Sequence, residues 1–118
     1  MTFFPIIELI DRLAIADVKF KRTGANQDEL TWYMNACSHL DLDSTADLYQ
    51  DLMAVHNRIW DLEAELKSGR EAELDLAEIG RRAIEIRNWN RKRIEIKNSF
   101  ADYFKSPVRE IKADHLSQ

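Results

Sequence analysis

Apolar residues recur along this chain at intervals of three and four, the spacing that stacks side chains on one face of an α-helix. Ile6, Ile10, Leu13, Ala14 and Asp17 share a face of a first segment, which opens with Pro5 in its first turn and reaches about Arg22. Thr23-Gly24-Ala25-Asn26 then breaks the pattern. Asn26 is placed to cap a second helix, with Asp28 and Glu29 at the positive end of its dipole and Leu30, Tyr33, Met34, Cys37 and Leu40 along its apolar side. After a turn at Asp41 to Ser44, the spacing of Leu48, Leu52, Val55, Ile59, Leu62 and Leu66 predicts a third helix from about Ser44 to Lys67, ended by Ser68-Gly69. Asp75 followed by Glu78 reads as a capping box, with Leu74 and Ile79 as its hydrophobic staple, and opens a last helix that runs to about Lys105. Ser106-Pro107 stops it.

No segment alternates with period two for long enough to be a strand, so the expected class is all-α. Four main helices are expected in a single domain over residues 1–106, the third and fourth forming an antiparallel hairpin, with a charged tail over 107–118. The last helix is long for a chain of 118 residues, and this raises the expectation of a homo-oligomeric bundle that covers Ile84, Trp89 and Ile96. The alternative is that the first two helices and the tail cover those residues.

One stripe departs from the pattern. Ile79, Ala83, Ile86, Asn90, Arg93, Lys97, Ala101 and Phe104 fall on one narrow face of the last helix, hydrocarbon at both ends and polar in the middle. A buried charge without a partner is too costly to persist, so Asn90, Arg93 and Lys97 require acidic side chains, an anionic ligand or a watery cavity. His56 and Glu63 interrupt the apolar face of the third helix in the same way, and Asp17 and Lys21 that of the first. Two readings stay open. In one, Glu63 or Asp17 meets Arg93 or Lys97 in an internal ion network. In the other, the cations face an anion brought from outside.

Charge favours neither reading outright. The formal net charge is −4, which disfavours nucleic acid and anionic membrane as partners of the whole chain. Between Arg81 and Lys97, however, seven basic residues stand against Glu85 and Glu95. Arg82, Arg87, Arg91 and Lys92 add to the positive side, guanidinium forks bind phosphate or carboxylate, and Trp60 or Trp89 offers a surface for a base or sugar. Cys37 is the single cysteine, which suits a reducing cytoplasm, and the apolar start is cut by Glu8 and Asp11 too early for a leader or membrane span.

Catalytic chemistry has thinner support. His39, His56 and His115 share no metal-ligand spacing, no cofactor signature is present, and Gly24, Gly69 and Gly80 are isolated, so there is no phosphate loop. Asp61/Glu65 and Glu71/Asp75 have the i,i+4 separation used by helical magnesium-dependent nucleotide pyrophosphohydrolases, which need two such motifs on facing helices.

Three segments, Glu8-Leu9-Ile10-Asp11-Arg12-Leu13-Ala14-Ile15 with Lys19, Asn57-Arg58-Ile59-Trp60-Asp61-Leu62-Glu63, and Asn90-Arg91-Lys92-Arg93-Ile94-Glu95-Ile96-Lys97, carry a resemblance. The chain resembles a small all-helical family of unknown function, found near bacterial lipopolysaccharide and glycosyltransferase genes and in tailed phages. The resemblance implies that Glu8, Asp11, Lys19, Asn57, Trp60, Glu63, Asn90, Arg93 and Lys97 form one constellation. The chain departs from the family near its C terminus, where Val108-Arg109-Glu110-Ile111-Lys112 replaces an acidic-lysine-aromatic ending.

The expectation is a non-enzymatic protein that binds an anionic small molecule of nucleotide type at that constellation, with no metal and no cofactor. A phage-encoded sponge for a nucleotide immune signal is one form of it. A helical scaffold with an internal salt-bridge network is the alternative, and a metal-dependent nucleotide pyrophosphohydrolase the third.

Overall fold

A computed structural model of the chain describes residues 5–67 and 75–105. Four α-helices account for nearly all of them: α1 (Ile6–Thr23), α2 (Gln27–Ala36), α3 (Ala46–Lys67) and α4 (Leu76–Tyr103), with a single 3-10 turn at Asp43–Thr45 before α3. The all-α architecture is as the periodicity predicts. Leu74, Ser68-Gly69, Ser106-Pro107 and the 107–118 tail lie outside the described residues, as does the side chain of Leu66.

α3 and α4 form an antiparallel hairpin, and cross-helix pairs give its register. Tyr103 Oη donates to Ser44 Oγ at 2.5 Å, Arg58 pairs with Glu85 at 2.6 Å, and Arg82 pairs with Glu65. The first pair lies at the open end of the hairpin and the last near its tip. α1 packs into the groove of the hairpin, and Ile7, Ile10, Ala14 and Val18 meet Leu52, Val55 and Ile59 of α3 and Ile96, Phe100 and Ala101 of α4 in one core. Phe100 and Ile10 are wholly buried, and each large side chain taken out of water contributes about 1.5–3 kcal/mol.

The helix ends follow local chemistry, with one difference from expectation. Gly24, at φ 66°, ends α1 in a left-handed conformation that glycine adopts without a Cβ clash, and its N–H bonds Phe20 O. Asp75 caps α4, its carboxylate accepting from the Glu78 N–H at 2.7 Å. The reciprocal half of a capping box does not appear, because Glu78 is engaged by Arg81 and Arg82. Asn26 occupies the cap position of α2 without capping it; its amide instead donates to Ala16 O and to Glu29, tying α2 back to α1.

α2 is peripheral, contrary to the apolar face read from its sequence. None of its residues is fully buried, and Trp32 and Met34 are more than half exposed. Just past its end Cys37 is buried and Leu40 packs partly buried against the core, and burial pushes the Cys37 thiol up to about 11. Ile96, expected at a subunit contact, is a core residue, and Trp89 packs against the same core; of that trio Ile84 alone is exposed. No helix among the described residues is long and apolar enough to cross a membrane.

Candidate functional site

Three helices each turn a polar stripe toward the same place. On α1, Glu8, Asp11, Ile15 and Lys19 follow one another at helical spacing; on α3 the sequence is His56, Ile59 or Trp60, and Glu63; on α4 it is Asn90, Arg93 and Lys97. Packing α1 into the hairpin brings the three stripes together and leaves two cavities with Arg93 and Ile15 in the wall of both. The first, about 380 Å³, is lined by Glu8, Asp11, Arg12, Lys19, Glu29 and Tyr33 besides those two. The second, about 210 Å³, is lined by His56, Trp60, Glu63 and Asn90 among apolar Val18 and Ile59.

Beneath the first cavity lies a buried relay of charges. Lys97, 2% exposed, pairs with Glu8 at 2.6 Å and with Asp11 Oδ2 at 3.8 Å. The other oxygen of Asp11 bonds His56 Nε2 at 2.8 Å, with both residues buried. Each carboxylate oxygen of Asp11 therefore serves a different neighbour, one on α3 and one on α4. The side of α1 that carries Glu8 and Asp11 is the inner wall of the cleft.

Burial alone would push the Asp11 carboxyl up, but the His56 hydrogen bond and the charges of His56, Arg93 and Lys97 outweigh it and hold the group below its ordinary 3.8. A carboxyl depressed in the folded state contributes stability above its unfolded value, and that contribution is lost as pH falls through the folded value. Unfolding free energy measured in urea should thus decline as pH drops below about 4. The Asp11→Asn variant, less stable at neutral pH, should show a shallower decline, and an unchanged acid slope would exclude Asp11 as its source.

Arg93 differs from Lys97. Its Nε is sealed from solvent without a hydrogen-bond partner, and the side chain makes no ion pair with a described residue. Among the described residues it is drawn through space toward Asp11. Asp17, one of the acids the network reading offered, is engaged elsewhere: it accepts from Tyr49 Oη at 3.1 Å and pairs with Lys21, on another side of α1. The stripe thus divides. Its Lys97 end is a matched ion network, and its Arg93 end opens onto two cavities.

Most of the expected constellation converges here, with qualifications. Glu8, Asp11, Lys19 and Arg93 line one cavity, and Trp60, Glu63, Asn90 and Arg93 the other. Lys97 lies behind Glu8, and Lys19 pairs with Glu29 at 3.3 Å. Asn57 is turned away; it accepts from Arg22 at 3.0 Å and donates to Met53 O. That same Arg22 lies over the Trp60 ring at 5.5 Å, so a cation already covers one face of the indole. The expected surplus of positive charge is also smaller than the sequence suggested, since Arg82 bonds Glu78 and Glu65. Asp61 pairs with Arg22 and Glu65 with Arg82, while Glu71 lies outside the described residues.

His56 and Tyr33 are among the site residues that the expected constellation left out, as are Arg12 and Glu29. His56 carried a signal, a polar residue on an apolar face, but its partner Asp11 is 45 positions away in the chain. Tyr33 appeared there only as an apolar residue of α2. No protein-family model, no curated protein and no solved structure matches the chain.

Proposed function

We propose that the protein binds a small anionic molecule of nucleotide type in the cleft between α1, α3 and α4, and holds it without breaking a bond. The observation that carries this reading is Arg93: a guanidinium with a sealed, unpartnered Nε that forms the wall between two cavities. A planar fork with open donors is the side chain best matched to a phosphate. Its surroundings fit such a ligand, with Trp60 on one side and Tyr33 on the other as surfaces for a base or sugar. The first cavity falls within the range of small-molecule sites, and its partly apolar, partly charged lining suits a ligand with a flat ring and a charged end. Binding without turnover is the behaviour of a sequestering protein, and a sponge for a nucleotide signal is the form this would take in a phage-infected cell.

The matched half of the stripe favours a second reading, a helical scaffold whose polar interior is structural. Glu8, Lys97, Asp11 and His56 satisfy one another with no ligand. Calorimetric titration with linear and cyclic nucleotides separates the two. The binding reading expects heat with at least one member at a stoichiometry set by the cleft, and a raised unfolding temperature with that member. No heat and no stabilisation across the panel would leave the scaffold.

A further inference from the structure

We infer that Glu29 holds the place of a ligand phosphate in the first cavity: it occupies Lys19, and an entering phosphate displaces it and takes Lys19 as a second cation beside Arg93. This rests on the binding reading above and adds a built-in competitor to it. Lys19, Glu29 and Arg93 all stand in the wall of the cavity of about 380 Å³. Lys19 Nζ lies 3.3 Å from Glu29 Oε1, so one cation of that wall is engaged by a carboxylate of the same wall. Arg93 has no such partner among the described residues.

The Lys19 pair is built to give way. Its side chains are 38% and 42% exposed, and an exposed ion pair gains little over two hydrated ions. Lys97, by contrast, is buried between Glu8 and Asp11 and has no such freedom. Release of Lys19 does not strand Glu29. Asn26 Nδ2 donates to Glu29 Oε1 and to Ala16 O, each at 3.0 Å, and this ties the carboxylate to α1 whether or not the ammonium is present. The hydrogen bond from Asn26, ahead of that from Lys19, also holds the Glu29 carboxyl below its ordinary value.

A phosphate monoester is the stronger rival for the ammonium. It carries a charge of about −1.5 to −2 at pH 7, more than a carboxylate, and offers three acceptor oxygens, enough to meet the Arg93 fork and an ammonium together. Lysine suits the exchange because its ammonium is a point charge with three rotatable donors on a flexible stem. The ligand chemistry is therefore a terminal phosphate, and Tyr33 in the same wall offers a surface for the ring that carries it.

Calorimetry on the full chain with the four ribonucleoside 5′-monophosphates and inorganic phosphate tests this. Glu29→Gln keeps an acceptor for Asn26 and removes the charge that competes for Lys19. It is expected to tighten binding by about two- to fivefold, the factor that an exposed ion pair represents. Asp28→Asn takes the same charge from the same turn of α2, at an exposed residue that does not line the cavity, and should change affinity by less than about 1.5-fold. In a Lys19→Met background the Glu29→Gln change should gain nothing, because the cation it frees is gone. An unchanged or weaker affinity for Glu29→Gln, an equal gain from Asp28→Asn, or a gain that survives Lys19→Met would each overturn the inference and spare the Arg93 reading. Absence of binding by every compound, to the wild type and to Glu29→Gln alike, would overturn that reading itself.

Discussion

Lys97→Met is expected to lower the unfolding free energy by about 3–5 kcal/mol, the usual consequence of removing one member of a buried ion pair. Methionine fills the volume of the lysine stem, so no large cavity forms and packing loss is a small part of the effect. What remains is electrostatic. Asp11 is 4% exposed and keeps its bond to His56 but loses the nearest ammonium, while Glu8 loses a 2.6 Å partner and has only partial access to water. Urea denaturation monitored by circular dichroism measures the change, with a constant m-value as the sign that the unfolded state is unaffected. A loss below about 1 kcal/mol would mean that this pair behaves as an exposed one does, and would remove the network as a structural element.

Arg93→Ala should give the opposite profile. Because the guanidinium has no hydrogen bond or ion pair with a described residue, its removal strands no partner at contact distance. It does withdraw a positive charge that eases ionisation of Asp11, so a small destabilisation is expected. Ligand affinity should fall at least about thirtyfold, the scale for deleting one side of a desolvated charge contact. The informative measurement is the pair of numbers: calorimetric affinity and urea stability on the same variant. Stability lost by 3–5 kcal/mol with affinity intact would assign Arg93 to the same structural network as Lys97.

The helices were legible because each has a local cause. Gly24 needs only its own backbone freedom to end α1, and Asp75 needs only the N–H of Glu78, three residues on, to start α4. What periodicity could not rank was burial. α2 has a respectable apolar face, yet it lies outside the three-helix packing, so Met34 stays exposed where Cys37 does not. The stripe on α4 shows the same limit from the other side. Its apolar N-terminal positions are partly covered or, as with Ala83, exposed, while polar Asn90 and Lys97 are buried, because α1 crosses α4 over the polar stretch.

The site was legible as a composition but not as a set of pairs. Asn90, Arg93 and Lys97 stand out from the sequence because they break an apolar face. Which of them is answered by a carboxylate depends on the rotation of α1. Glu8 reaches Lys97 across 89 residues of chain, and nothing in the spacing of either segment marks them as partners. Asn57 shows the converse error: it is close in sequence to His56 and Trp60, but one residue along a helix is about 100° of rotation, and its amide ends on Arg22 instead.

Arg93 stands as a shared partition with a compartment on either hand, and it has only one guanidinium to commit. An anionic group that draws that fork toward the Tyr33 side withdraws it from the Trp60 side, and the reverse. The two compartments are then not two independent seats. Under the binding reading, a phosphate held by Arg93 in one compartment would leave the other without that fork, and whatever else the guest carries must fit into the room its charge has left behind.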